Sequence, residues 1–298
     1  MSASGTVGVS SVSSYGSLLS SNAALTWTPV APVQVIASVN TAQTPPAIGL
    51  LTTPTVTVPN APYFDFVTGS SALVTVITGG NPSLTPERRR ISTVGASWKP
   101  IKAKELRLNL DYIETHIEGQ TSYLQSVTPA LQAAFSDRFL RDATGQLLFV
   151  DLRPVNLARE VERKVQGKLS FWTQIGPEPK PPAGPPVKDA PPPPPPKPRP
   201  MIYGFGTVTA RLDDQLTLQP GQPRLDLLGG DTLDGTGGRP RYEAQGNIGG
   251  SYGPIQGGLF AMWQGPTRIR SNLAASDLRF SAKTFVALYS TIDAAQLA

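Results

Sequence analysis

Apolar residues fall on every second position through most of this chain, and a period of two constrains it to β-strands. In Leu106-Arg107-Leu108-Asn109-Leu110-Asp111-Tyr112 the apolar side chains take the even positions and the polar ones the odd. The pattern recurs with Leu19, Ala23, Leu25 and Trp27, and again with Val33, Val35, Ala37 and Val39. Val161, Val165, Leu169, Phe171 and Ile175 oppose Glu162, Lys164, Gln166, Lys168 and Ser170. Leu278, Phe280, Ala282, Val286 and Leu288 oppose Arg279, Ser281 and Lys283. Successive side chains of a strand point to opposite faces, so each strand meets an apolar medium on one side and water on the other. About nine strands are predicted. They lie near residues 15–28, 32–43, 87–99, 105–118, 159–175, 201–218, 239–253, 256–270 and 277–291.

The apolar medium can be a second sheet, as in a soluble sandwich, or lipid. Charged residues make up only 16% of the chain, well below the quarter usual for a soluble domain. No apolar run reaches the length of a membrane-spanning helix. A closed sheet spans a bilayer without one, because it pairs every backbone group internally, so a mean hydropathy of −0.12 leaves that route open.

Two further features favour lipid. Thr26-Trp27-Thr28-Pro29 and Ser97-Trp98-Lys99-Pro100 each end a strand with an outward aromatic beside a proline, and a new strand follows within a few residues. An interfacial girdle would place Trp at such a rim. The connections at the other end are long, roughly 40 to 85, 119 to 159 and 219 to 238. Short periplasmic turns and long external loops are typical of transmembrane barrels, whereas structureless loops of that length are uncommon in compact soluble domains.

The fold expected is therefore all-β: an antiparallel up-and-down transmembrane β-barrel with long external loops and one short helix, a barrel that the resemblance described below makes incomplete. That helix is Pro129 to Leu140, with Pro129 in its first turn after Thr128. Residues 177–200 hold 14 prolines and read as an extended polyproline insertion on the periplasmic side. They separate barrel strands and external loops in 1–176 from further strands in 201–298.

The chemistry excluded is broad. There are no cysteines, which removes disulfides and thiolate metal sites, and the single His116 cannot build a multi-histidine zinc site. The net charge of +5 is scattered, and the run Arg88 to Arg90 is too short to imply nucleic acid. Asp213-Asp214 and Asp231/Asp234 could pair as carboxylates, yet both sit at strand ends or in a Gly-rich loop, where acidic residues usually only turn the chain. No catalytic constellation and no cofactor or metal site is expected. Arg138, Arg141, Arg153 and Arg159 cluster around one external loop. They are candidates for an anionic ligand or for lipopolysaccharide phosphates, against the simpler reading that they pair with Asp137, Asp142 and Asp151.

The segment Gly79-Gly80-Asn81-Pro82-Ser83-Leu84-Thr85-Pro86-Glu87, followed by a strand ending at Trp98, resembles the G-N-P-x-L-x-P-E signature of TonB-dependent receptors. Asn81, Pro82, Leu84, Pro86 and Glu87 are the matching positions. Ser38 to Ile48, Ala133 to Glu160, Leu225 to Gly230, Gly237 to Gly246, Trp263 to Arg270 and Ser276 to Leu288 resemble further segments of an alphaproteobacterial subgroup, in the same order. The resemblance implies a barrel of about 22 strands around a plug, in the bacterial outer membrane. It implies outer-membrane lipid as a partner, a scarce small-molecule ligand such as a ferric siderophore, and TonB acting through a box at the N-terminal side. No signal peptide, TonB box, plug or terminal aromatic strand is legible here, so the sequence is expected to be part of a receptor, unable to transport alone. A passive porin or a structural β-protein is the alternative.

Overall fold

The computed structural model of the chain describes all residues except 13–14, 102–104, 125–127, 178–198, 234–237, 272–275 and 294–298. The first elements are β1 (Ser2–Val12), β2 (Gly16–Val30), β3 (Val33–Thr44), α1 (Ile48–Thr52), β4 (Val56–Asp65), β5 (Ser70–Thr78), β6 (Glu87–Trp98) and β7 (Glu105–Ser122). A helix α2 (Pro129–Ala134) and a 3-10 turn (Ser136–Arg138) precede β8 (Phe139–Arg141), β9 (Leu147–Asp151) and β10 (Val155–Gln174). The remainder is β11 (Met201–Thr217), β12 (Arg224–Asp226), β13 (Tyr242–Tyr252), β14 (Ile255–Gln264), β15 (Thr267–Ile269), β16 (Leu278–Phe280) and β17 (Lys283–Ile292).

Ten strands build one wall in the order β1-β2-β3-β6-β7-β10-β11-β13-β14-β17, with β12 added beside the end of β11. Every neighbouring pair in the wall is antiparallel. The wall is open, since β1 and β17 each have one neighbour. The tenth strand, β1, is the one that the alternation missed. Its segment SASGTVGVSSV alternates Val with Gly and Ser, and its eleven-pair register with β2 supplies what composition does not.

The register decides which side chains share a face. Trp98, Leu108 and Leu169 are direct partners in one row, and Ala96, Leu110, Gly167, Val208 and Ala244 form another. Farther along the wall, Ile248, Leu259 and Leu288 stand side by side. These apolar side chains are exposed: Leu110 at 59%, Ile248 at 53% and Leu288 at 81%. No second sheet or helix layer covers them among the described residues. The opposite face carries Asn40, Thr93, Asp111, Gln166, Lys164, Arg211, Glu243 and Gln245.

On β13 the apolar face runs from Tyr242 through Ile248 to Tyr252, both tyrosines exposed. Ten residue steps are about 33 Å of strand, or about 25 Å of height at a tilt of about 40°. That is the height of an outer-membrane hydrocarbon band with an aromatic at each rim. Trp27 and Trp98 lie on the same face at the end with the short turns, as the hairpin repeat predicts.

The long connections at the other end are folded rather than irregular. β4, β5, β9 and β8 form a four-stranded sheet in that order, with β5 and β9 parallel. Pro129 opens α2 after Thr128, whose hydroxyl accepts a hydrogen bond from Leu131 N. This loop unit and the ends of β10 and β11 share one core of Val74, Leu131, Phe139, Val150, Leu157 and Leu216. The alternation could not forecast it, because the sheet is assembled from strands that are far apart in sequence.

The Pro-rich insertion falls almost wholly outside the described residues. At its margins Gln174 faces Met201 in register, and Ile175 N donates to Pro200 O at 2.8 Å, so the wall runs on across it without a gap.

Candidate functional site

The motif residues act as a clamp where the first long loop returns to the wall. Asn81 is buried; its Nδ2 donates to Pro154 O at 2.8 Å, and its Oδ1 accepts from Ser83 N at 3.0 Å. Asn81 N donates to Leu50 O at 2.7 Å, which ties the turn to α1. Leu84 is buried, and its carbonyl accepts from Tyr15 Oη. Thr85, one residue before Pro86, exchanges two hydrogen bonds with the Asn156 side chain at the start of β10. Pro82 is exposed, and Glu87 opens β6 with its carboxylate against Arg89. Gly79 has φ +128, and a Cβ there would lie 2.7 Å from Pro54 O, so this corner admits only glycine.

The loop arginines lie together at the same end and are held by carboxylates. Arg141 donates twice to Asp65 at 2.7 Å, through both terminal nitrogens. Asp65 is 1% exposed and also accepts from Gln132 Nε2, Val67 N and Thr68 Oγ1. The Arg141 guanidinium, aided by these donors against the cost of burial, holds the Asp65 carboxyl well below the usual range. Burial first, then the nearby Asp65 charge, pushes the Tyr63 hydroxyl up to about 12.

Arg138 and Arg153 share one partner, Asp151: Arg138 Nη1 donates at 2.6 Å and Arg153 Nη2 at 2.7 Å. Burial raises the Asp151 carboxyl, but the hydrogen bonds and charges of Arg153 and Arg138 outweigh it, and its pKa is lowered. Asp137 stands 3.9 Å from Arg138 and is exposed. Asp142 serves its own turn, accepting from Thr144 and Gln146. Arg159 stands apart from this group, on the outward face of β10, and donates to His116. The partner that sequence reading did not supply is Asp65, 76 residues from Arg141.

The inward face of the wall carries a ladder of ion pairs. Glu162 accepts from Lys164 at 2.7 Å and from Arg211 at 3.0 Å, and Arg211 also reaches Glu243 at 2.8 Å. Beside them, Lys164, Gln166, Thr209 and Gln245 line an open groove of about 440 Å³. Asp213 and Asp214 do not converge. A bulge between Arg163 and Lys164 sets Asp213 against Arg163, whereas Asp214 is fully buried against Arg239. Asp231 is bound by Arg270, and its sequence companion Asp234 lies outside the described residues. No group of three or more His, Cys, Asp or Glu able to hold a metal occurs among the described residues.

Comparison with solved structures places this architecture. A ferric enterobactin receptor (PfeA) mutant from Pseudomonas aeruginosa, in complex with enterobactin, superposes with a TM-score of 0.56 at 12% identity. The alignment covers 97% of this chain and 35% of that one. The siderophore receptor PirA from Acinetobacter baumannii gives a TM-score of 0.54 at 13% identity, over 95% of this chain and 36% of that one. The wall has the fold of part of a siderophore-receptor barrel. The chain spans about a third of the length of those receptors, which accounts for an open wall of ten strands. No protein-family model and no curated protein matches the sequence.

Proposed function

We propose that this chain forms part of the barrel wall of a TonB-dependent outer-membrane receptor that takes up a scarce ligand of the ferric-siderophore class. The observation that carries the reading is the outward face: apolar, exposed along ten strands, about one bilayer core high and rimmed by Trp and Tyr. A soluble protein would leave such a surface in water. The loop unit then faces the exterior, and the turn end with Trp27 and Trp98 faces the periplasm.

Ligand contact belongs to the loop end. Arg138 and Arg153 share the Asp151 carboxylate, and the exposed Asp137 stands only at 3.9 Å from Arg138, so these two guanidiniums are the loop groups best placed to meet an anionic ferric chelate. Arg141 is paired one-to-one with Asp65 and supports the surface from beneath. The inward groove along Lys164 and Gln166 continues from the loop end and suits either the passing ligand or a plug. TonB engagement is assigned to the N-terminal side of the parent receptor.

The test is retention of a radio-iron catecholate chelate by the chain folded in detergent. Saturable retention that Arg138→Gln and Arg153→Gln weaken, and that Lys283→Gln on the far inward wall does not, is the expected result. Retention that is absent, or indifferent to both loop arginines, would contradict the ligand assignment.

A further inference from the structure

Two buried carboxylates share one guanidinium nitrogen at the loop end of the inward face. Arg239 Nη1 donates to Glu160 at 2.7 Å and to Asp214 at 2.6 Å. Glu160 is 6% exposed and Asp214 0%. Both stand beyond the aromatic rim. Asp214 is four residues past Ala210, the register partner of Tyr242, and Glu160 is five residues before Val165, the partner of Tyr112. On the other flank of β11 at this height lies β12, and Leu227 N donates to Asp214 O at 3.0 Å. Parting β12 and the Arg239 segment from the wall is therefore what admits water to the Asp214 carboxyl.

The charges in this contact do not balance. Asp214 Oδ2 takes the Arg239 bond, while Oδ1 is buried with no hydrogen-bond partner among the described residues. An ionised oxygen so placed has lost its water without gaining a donor. The surrounding groups are committed elsewhere. On β10, Glu162 accepts from Lys164 and Arg211, and Arg211 also holds Glu243 of β13. Arg89 of β6 faces the same hollow as Glu160 but is bound by Glu87, and β7 places Ile117 beside Glu160. Asp226 of β12 accepts from the Leu228 and Gly229 amides, and Arg241 donates to the Arg211 and Leu212 carbonyls. Asp213, Arg163 and Glu114 pair with one another on the outward face. Burial thus outweighs Arg239, Glu160 and Glu162 add to it, and the Asp214 carboxyl is pushed up to about 6. Burial raises Glu162 as well, but Lys164 and Arg211 outweigh it, and its pKa is lowered.

We infer that Asp214 is a proton-operated switch at the loop end: ionised, it weakens the closure of β12 and the Arg239 segment on the wall, and protonated, it lets them close. A proton on Oδ1 cancels the buried charge and leaves Arg239 opposite the single anion Glu160. Protons reach the pair from the inward side, through the hollow of about 390 Å³ that Glu160 lines with Lys164 and Gln166. The folded value lies above the ordinary carboxylate value. The stability tied to this proton is therefore fully present below the ordinary value and is lost as pH rises through about 6. That direction is opposite to the one set by the depressed Asp65 and Asp151. Leu216 and Leu227 share their core with Leu131 and Val150, so the base of the loop unit is firmer in mild acid than at neutral pH.

The test is amide exchange of the full chain in detergent micelles at pH 7 and pH 5, corrected for the intrinsic rate at each pH. Protection of the Leu227 amide and of the β11–β12 ladder should rise about tenfold from pH 7 to pH 5. Amides of β13 and β14 around Ile248 and Leu259 should not respond. Asp214→Asn copies the protonated group and should be equally protected at both pH values. Arg239→Gln removes the cation from both carboxylates and should move the midpoint upwards; it decides the role of Asp214 if the Asp214→Asn chain does not fold. Protection that falls between pH 7 and pH 5 would overturn the inference, because the contact would then be an ordinary ion-pair latch. So would a flat profile in the unaltered chain, an Asp214→Asn chain that keeps the rise, or a midpoint that Arg239→Gln leaves in place.

Discussion

Four side-chain or backbone groups converge on the Asp65 carboxylate at the end of β4: Arg141, Gln132, Thr68 and the Val67 amide. A buried carboxylate so supplied is costly to strip. Arg141→Gln should destabilise the loop unit by about 3 kcal/mol, because it leaves a charge without its counter-charge. The pKa of Asp65 is depressed, and that of Asp151 is lowered as well. Each therefore contributes stability that is fully present above the ordinary carboxylate range, begins to fall within it and is lost as pH drops on through the depressed folded value. Amide exchange should report loss of protection in β4, β5, β8 and β9 on going from neutral pH to about pH 3, with the wall strands retained. Protection that is unchanged, or that rises on acidification, would contradict the roles given to these carboxylates. At this scale the sequence is only half informative. The arginine cluster is visible because its members lie close along the chain. Asp65 is not, because only the fold brings it to Arg141.

Strands show the reverse balance. Alternation is a local property, so β2, β3, β6, β7, β10, β11, β13, β14 and β17 are all legible, as are their inward and outward faces. β1 is not, because Gly and Ser supply too little contrast and its existence depends on the β2 partner. The loop sheet is hidden for a related reason: β5 pairs parallel with β9 from about seventy residues away, and parallel pairing has no turn to announce it. The two faces of one strand make opposite predictions. On β7, Leu110→Arg should cost about 2 to 4 kcal/mol in a bilayer, the range for a cation at hydrocarbon depth. Asn109→Arg, one residue away on the inward face, should cost little. Urea titration of both variants in lipid vesicles checks the difference. Equal costs would mean that the faces are not segregated by lipid.

Over the whole molecule, ten antiparallel strands form an open wall with one face apolar over most of its height, one polar face and a folded unit at one end. The wall, its handed faces and its aromatic rims follow from residues that the sequence displays, and the likeness to siderophore receptors is a likeness of this wall. The loop unit and the ion pairs of the inward face depend on residues brought together only in three dimensions. The absence of cysteine from the chain permits a direct measurement of its central property. Single variants Leu110→Cys, Ile248→Cys and Leu288→Cys, and their inward counterparts Asp111→Cys and Gln245→Cys, can each carry a fluorophore in bilayers holding a lipid-confined quencher. Strong quenching at 110, 248 and 288 with little at 111 and 245 is the predicted result. Equal quenching of both sets, or shielding of the first set from lipid, would contradict a wall that faces hydrocarbon.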